Sequence, residues 1–593
     1  MKNILIAIRS IFKKGRHNVM KIVSLGIGLA VGLVLIAKVY FEQSYDDFYP
    51  DRDRVYQVWA KYQQNGGELK DYPQTSGGIA PTMQQQIPEI ETVTRYTSFG
   101  DWTFTMTDTK MKYSGRCIIA DSCFFDILPR PMLIGNAKEV LSTPMYVLVS
   151  SRIAKNIGGD VIGKNFTVDS SPGRTMTIGG VFEEVPENSH SRYDVIVSMA
   201  SAGRFMWEGS PTNMLGNDRY ISYVKLHKGV NPLALEEQVH TFVNSYFPPE
   251  EQQKTGFNIG FSFHELDGLH KELPQVKRMT WILSLLAFAL IFTAVMNYIL
   301  IVISSIVNRS KEVAVHKCYG ASENNIHGMM FGEALVHIVL SLILALLLIL
   351  AFRGTVEELL ATSLDSLLLS NGSLVLLGIC ILVFFVSGFM PGSLYARIPV
   401  ASAFRNYREN KRIWKKALLL VQFVATGFLV TMLVFVARQY TFMVNDRPGY
   451  AYENLAYCGL AGVDSTSRAK ILDEVMRLPG VAAATTVYQL PFEHASGNNI
   501  LLPGGTQELF NIADLYWVGN GYLDMMEIPV IQGRSFTENV TNSREVMVDR
   551  RFVEKMKLVA GWTDDVVGKV WGQQMAGRFF LVLTEVCSIL PLR

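Results

Sequence analysis

The sequence predicts an α-helical polytopic membrane protein with about five transmembrane helices and two α+β extracytoplasmic domains, the second incomplete. Three observations carry that prediction: five apolar runs of membrane length, Lys and Arg gathered on alternate loops, and an internal repeat at an offset of about 400 residues. Composition agrees. Of 593 residues, 49% are hydrophobic and 18% charged, with mean hydropathy +0.19, which fits a few spans diluted by large soluble segments. With 55 basic against 53 acidic residues, the chain lacks the strongly basic balance of a nucleic-acid-binding protein, so no nucleic-acid partner is expected. Six cysteines at these spacings make neither a disulfide framework nor a zinc motif.

Residues 1–19 read as a cytoplasmic N-terminus, carrying Lys2, Arg9, Lys13, Lys14 and Arg16 ahead of the first run at 20–41. That run is too long for the apolar core of a signal peptide and no small-residue cleavage site follows, so it reads as a retained anchor. The other runs lie at 279–306, 328–353, 372–395 and 417–440. The 307–327 loop holds Arg309, Lys311 and Lys317, the 396–416 linker holds Arg397, Arg405, Arg408, Lys411, Arg412, Lys415 and Lys416, and the 354–371 loop has neither Lys nor Arg. The positive-inside rule then puts the N-terminus in the cytoplasm and residues 42–278 and 441–593 outside it. Lys277 and Arg278, on the outer side, are the exception. Inside 42–278, Tyr220, Ser222, Val224 and Leu226 alternate like a half-buried strand, and Asn231-Pro232 opens a helix with Leu235, Val239, Phe242 and Tyr246 on one face.

The repeat is read from several pairs in the same order. Lys13-Lys14 and the first span correspond to Trp414-Lys415-Lys416 and the fifth. Residues 121–136 (DSCFFDILPRPMLIGN) correspond to 520–536 (NGYLDMMEIPVIQGRSF), and Asp160-Val161-Ile162-Gly163-Lys164 to Asp565-Val566-Val567-Gly568-Lys569. The unit is one span, an outer domain and three more spans, and the second copy stops inside its outer domain. The expectation is a C-terminal truncation that removes a three-span block of roughly 200 residues.

Few patterns suggest chemistry. Residues 158–164 (GGDVIGK) match most of a phosphate-binding loop, but Asn165 stands where the Mg²⁺-binding hydroxyl is needed, so a turn is expected. Ser189, His190 and Asp194 are hydrolase residue types without a nucleophile elbow, and a polar loop is expected. Cys117 and Cys123 would pair only across a hairpin. No catalytic, cofactor or metal set is expected. In the spans, Lys38 is near enough to the outer end to snorkel. Asn297 and Gln422 are expected to bond between helices, Glu333 and His337 stand four residues apart as an intrahelical pair or a proton relay, and Gly28 and Gly32 form a GxxxG packing motif.

The most informative loop runs from Asn308 to Ser322. It mixes Arg309, Lys311, Glu312, His316 and Lys317 with Val313, Val315 and Tyr319, and ends in Gly320-Ala321-Ser322. Read alone, it is either a short amphipathic helix along the membrane surface or a solvated connector. Together with Asn297-Tyr298 before it and Glu333 after it, the run Glu312, Lys317, Gly320, Ala321, Ser322 resembles the FtsX-like permease domain of MacB/FtsX-type ABC transporters. Met390-Pro391-Gly392 through Phe404-Arg405 resembles that family's exit from the last span. Asp53-Arg54-Val55-Tyr56, the Pro88-Glu89-Ile90-Glu91 run, and Gly180-Val181-Phe182 before Pro186-Glu187-Asn188 are similar to its MacB-like periplasmic core domain.

The resemblance implies a first core domain at 42–278, a permease domain at 279–395 and a second, incomplete core domain at 441–593, in the long two-repeat form of the family. It implies a multi-pass protein of the bacterial inner membrane, without enzymatic activity, that binds no cofactor itself and uses ATP through a partner, a cytoplasmic ABC ATPase subunit docking on Arg309, Lys311, Glu312, Val315, His316, Lys317, Tyr319, Gly320, Ala321 and Ser322. His316, Cys318 and Tyr319 depart from the residues usual there. The implied work is mechanotransmission for export or extraction of a lipoprotein, peptide or antimicrobial, in the lipid bilayer, with room for a second permease copy and for periplasmic or outer-membrane partners. The alternative is an FtsX-like regulator of a periplasmic cell-wall hydrolase.

Overall fold

The computed structural model describes residues 17–64, 68–169, 171–216, 218–255, 257–369, 372–396, 399–400, 413–445, 449–460, 463–491, 496–503, 508–536, 545–573 and 579–587. Most of the 396–416 linker and residues 1–16 lie outside that set. The chain divides into two compact units, Met1–Thr431 and Met432–Arg593. Five described helices are long and apolar enough to cross a membrane.

The first, α1 (Asn18–Gln43), has 26 residues and spans about 39 Å at 1.5 Å per residue, more than a hydrocarbon core of about 30 Å. A mixed sheet of β1 (Val55–Gln64), β2 (Lys70–Tyr72), β3 (Ile90–Met106), β4 (Lys112–Ala120), β5 (Met132–Ile134), β6 (Tyr146–Ser150), β7 (Asn165–Val168), β8 (Ser171–Phe182), β9 (Val195–Ser198), β10 (Ile221–Leu226) and β11 (Phe257–Glu265) follows. Its order is β11-β1-β10-β3-β4-β9-β6-β8-β5, with β2 on β1 and β7 bridging β3 and β8. Strand β3 is its spine: Ile90–Tyr96 pairs with β10, Tyr96–Thr105 with β4, and Phe104–Met106 with β7. One lobe buries Tyr56, Val58, Val224 and Phe242, the other Phe104, Phe166 and Ile178.

Tyr220 and, on β10, Ser222, Val224 and Leu226 are buried while Ile221 and Lys225 are half-buried, the alternation expected; Tyr223 departs from it because it packs with Tyr96 and Phe124 on the opposite face of a sheet covered on both sides. The expected helix begins as a 3₁₀ turn, Pro232–Leu235, and continues as an α-helix over Glu236–Tyr246. Its buried residues are Leu235, Val239, Phe242 and Val243, while Tyr246 is exposed.

The short helices α2 (Phe124–Ile127) and α3 (Ser151–Ile157) flank β5 and β6. After the sheet come α4 (Pro274–Ser304), α5 (Ile306–Cys318), α6 (Glu323–Ala351), α7 (Arg353–Leu360), α8 (Leu364–Leu368), α9 (Ser373–Ala396) and α10 (Ile413–Asn445). Helix α1 packs on α4 and α6, and α6 on α9, around a core containing Leu25, Leu29, Ile299, Val302, Ile338 and Tyr395.

The second unit contains α11 (Tyr522–Met525), α12 (Arg550–Ala560), β12 (Ser496–Leu501), β13 (Glu508–Leu515), β14 (Val530–Gln532), β15 (Glu545–Asp549), β16 (Val570–Gln573) and β17 (Phe579–Cys587). Its order β13-β12-β16-β17-β14, with β15 on β17, repeats the first unit's neighbour pairs β4-β3, β3-β7, β7-β8 and β8-β5, with β6 on β8. The sense of each pair recurs: β15–β17 is parallel like β6–β8, while β12–β16, β16–β17 and β14–β17 are antiparallel like β3–β7, β7–β8 and β5–β8. Helices α11 and α12 fall where α2 and α3 do. The two DV(I/V)GK stretches form the same turn, with Gly163 at φ 77° and Gly568 at φ 82°, and with Val161 and Val566 both buried beneath it. Residues 158–164 are thus a turn, in which Lys164 Nζ donates to the Gly158 carbonyl at 3.2 Å.

Candidate coupling site on the α5 helix and its path to the large domain

The elbow between α4 and α5 is made by Ser305. Its hydroxyl donates to the Val302 carbonyl at 2.6 Å and lies 3.2 Å from the Tyr395 hydroxyl, which itself donates to Val302 O at 3.1 Å. Tyr395, at the end of α9, is fully buried, so two long helices grip the start of α5. The other end of α5 explains the Gly-Ala-Ser signature. Gly320 sits at φ 86°, Ala321 N donates to His316 O at 3.0 Å, and Gly320 N donates to Lys317 O at 3.0 Å, the two bonds of a Schellman motif that needs a left-handed residue. Ser322 then caps α6 by accepting from Asn325 N.

Helix α5 is amphipathic in a different sense from the one expected. Ser310, Val313 and Ala314 are buried against the long helices, whereas Lys311, Val315, His316, Cys318 and Tyr319 are exposed, Tyr319 at 89%. At about 100° per residue, Val313 and Val315 point to opposite sides, so they cannot form one membrane-facing stripe. Lys311, Val315 and Tyr319 instead form an outward row at i, i+4, i+8. Glu312 and Lys317 are half-buried, and the side chain of Arg309 lies outside the described set.

Polar contacts tie the long helices together. Gln422 Nε2 donates to Asn297 Oδ1 at 3.2 Å. Glu333 and His337 share a face of α6 but reach different helices: Glu333 pairs with buried Lys21 of α1 at 3.5 Å, and His337 Nδ1 lies 3.2 Å from the Tyr298 hydroxyl of α4. The intrahelical expectation overlooked these partners because they lie on other helices. A Cβ on Gly28 would stand 2.3 Å from Ala294 Cβ, and one on Gly32 2.4 Å from Ile291 Cγ1, so both glycines set the approach of α1 to α4.

At the far end of α1 the large domain is anchored. Lys38 is buried rather than snorkelling: it pairs with Glu42 at 2.7 Å and donates to Thr362 Oγ1 at 2.8 Å. Glu42 also meets His270 Nε2 at 2.5 Å, and the His270 ring stacks on Tyr45 at 3.7 Å. Asn188 Nδ2 donates to Ser44 O at 2.6 Å, and His190 bonds to the fully buried Asp46. Burial pushes the Tyr45 phenol above its ordinary value. Ser189, His190 and Asp194 therefore do not assemble as a triad. His190 is taken by Asp46, and Asp194 by Arg152 and the Arg116 backbone N–H. These links join residues 144 and 228 positions apart, beyond any sequence window. Cys117 and Cys123 are free thiols, and burial raises both, Cys123 to about 11. Among the described residues no His, Cys, Asp and Glu group is arranged to hold a metal ion.

The family model of the MacB-like periplasmic core domain matches residues 20–242, and that of the FtsX-like permease C-terminal domain matches residues 284–400. Among solved structures, the chain is similar to a domain of a putative permease protein from Porphyromonas gingivalis, at 32% identity over 37% of this chain and 91% of that one, with a TM-score of 0.34. It is also similar to the periplasmic region of MacB from Actinobacillus actinomycetemcomitans (16% identity, 35% and 87% covered, TM-score 0.24). A third is the extracellular domain of the noncanonic ABC-type transporter YknZ from Gram-positive bacteria (10%, 35% and 98%, TM-score 0.26). No curated protein matches. The chain belongs to the MacB/FtsX-like ABC transporter permease family. It is a permease component with a periplasmic domain and apolar helices of membrane length, and membership implies a cytoplasmic ATPase partner.

Proposed function

We propose that this chain is the non-catalytic, five-span permease subunit of a mechanotransmission complex in the bacterial inner membrane, with its N-terminus in the cytoplasm. A separate ATPase docks on the outward row of α5. Its ATP-driven movement passes through the elbow at Ser305 and the Gly28/Gly32 contact into α1, and from there through Glu42, Ser44 and Asp46 into the periplasmic domain, which works on a substrate outside the membrane. The recurring strand pairs of the second unit support a second core domain.

The observation that carries the reading is α5 itself: one face locked into the long helices through Val313 and Ala314, the other offering exposed Val315 and Tyr319 beside Lys311 and His316. A helix held this way passes force, and an exposed aromatic beside cations suits a protein partner. The test is co-purification from solubilised membranes. Tyr319→Asp with Val315→Asp is expected to lose an ABC ATPase that the unaltered chain retains. Equal recovery by both would overturn the assignment.

A further inference from the structure

We propose that the cleft between the periplasmic domain and the α7–α8 hairpin binds a zwitterionic phosphoethanolamine headgroup of a membrane phospholipid. The cleft has a volume of about 320 Å³ and is lined by Glu187, Arg192, Glu357, Ala361, Thr362 and Ser363. The hairpin joins α6 to α9, and Thr362 is bonded to Lys38 near the end of α1. It therefore lies where three membrane-length helices end, at headgroup level. It also exposes apolar side chains: Phe352 before α7 at 60%, Leu359 at 78% and Leu369 at 79%. A polar cleft beside exposed apolar groups fits a molecule with a charged head and hydrocarbon tails.

Charge selects the head. Glu357 is already neutralised by Arg353, which donates to its Oε1 at 2.9 Å, and it takes Leu364 N at 2.9 Å. Glu187 accepts only from a neutral donor, Ser363 N at 2.9 Å. Arg192 is exposed and makes no ion pair or hydrogen bond among the described residues. One carboxylate and one guanidinium thus share the cleft without pairing. A lone anion meets Glu187 and a lone cation meets Arg192, whereas a ligand carrying both a phosphate and a primary ammonium satisfies each: phosphate on the guanidinium fork, N–H donors on the carboxylate.

From the function proposed above this inference takes only the membrane setting, and binding is read without nucleotide or ATPase, so its failure would leave the coupling reading standing. The full chain is purified in detergent and offered phosphatidylethanolamine and phosphatidylglycerol vesicles at equal mole fraction, and bound lipid is counted by native mass spectrometry. Phosphatidylethanolamine is expected to be preferred, and Arg192→Ala or Glu187→Gln to reduce its retention by about tenfold each, the worth of one charged hydrogen bond. Both side chains can change without disturbing the fold, since Arg192 is exposed and Gln still accepts from Ser363 N; an unchanged melting temperature checks this. Equal retention of the two lipids, or of phosphatidylethanolamine by the variants and the unaltered chain, would overturn the site. Binding of free O-phosphoethanolamine without any lipid preference would overturn a lipid as its source.

Discussion

Gly28→Ala adds one methyl group where α1 meets α4. The new Cβ would stand 2.3 Å from Ala294 Cβ, while carbon atoms settle at about 3.5–4.0 Å, so the helices must part by roughly 1.2 Å or tilt. Overpacking of this kind costs about 1–3 kcal/mol. The next contacts are Leu290 O at 3.5 Å and Ala294 Cα at 3.6 Å, both ordinary. Ala294→Gly in the facing helix therefore removes the whole conflict. The single Gly28→Ala chain is expected to melt several degrees lower in detergent, at roughly 2–4 °C per kcal/mol. It should also lose partner-stimulated movement of the periplasmic domain, followed by a fluorescent label on that domain. The Gly28→Ala/Ala294→Gly pair is expected to recover both, with a coupling energy of the same size and opposite sign in a double-mutant cycle. If Gly28→Ala alone melts at the original temperature, or the pair is no better than the sum of its parts, the close approach of α1 and α4 is refuted.

Other outcomes follow from separate parts of the molecule. Gly320→Val forces a β-branched residue to φ 86°, at a cost of about 1–2 kcal/mol, and should weaken ATPase co-purification while leaving the melting of the isolated large domain unchanged. Hydrogen bonds from Lys225 to Asp51 and from Arg54 to Glu91 hold both carboxylates below their ordinary range. Their contribution is complete above the unfolded values near 4 and is lost as pH falls through the lower folded values, so acid unfolding of the large domain should flatten in Asp51→Asn/Glu91→Gln. Gly163→Ala and Gly568→Ala place a Cβ at φ 77° and 82°; each should speed hydrogen exchange around its own turn and leave the other turn as it was.

The large features were legible because each lies in contiguous residues. A membrane helix is written in one apolar run, so all five predicted runs fall within or nearly within described helices, whose ends extend a few residues into the flanks. The turn from α5 into α6 is written in Gly320-Ala321-Ser322, where a left-handed residue and an N-cap hydroxyl follow one another. The repeat is written twice, and its turns and strand pairs recur because the same short-range pattern folds the same way. The Asn297–Gln422 bond was also foreseeable, since polar side chains in apolar spans seek partners.

Other features were decided only when the chain was packed. Which side of α5 faces inward depends on its packing against Val302, Ile303 and Tyr395, not on its own periodicity. Lys38 looked free to reach water until Thr362 and Glu42 enclosed it. How the expected polar loop of Ser189, His190 and Asp194 is held was set by Asp46, which takes His190, and Arg152, which takes Asp194. The sequence by itself determined where the membrane helices, the turn after α5 and the repeated turns are, because backbone preferences and burial of apolar runs act over a few residues. The tertiary structure decided which charges meet and which helix face is left open, because a buried ion or polar group takes its partner from whatever is nearest in space, here as much as 324 residues away.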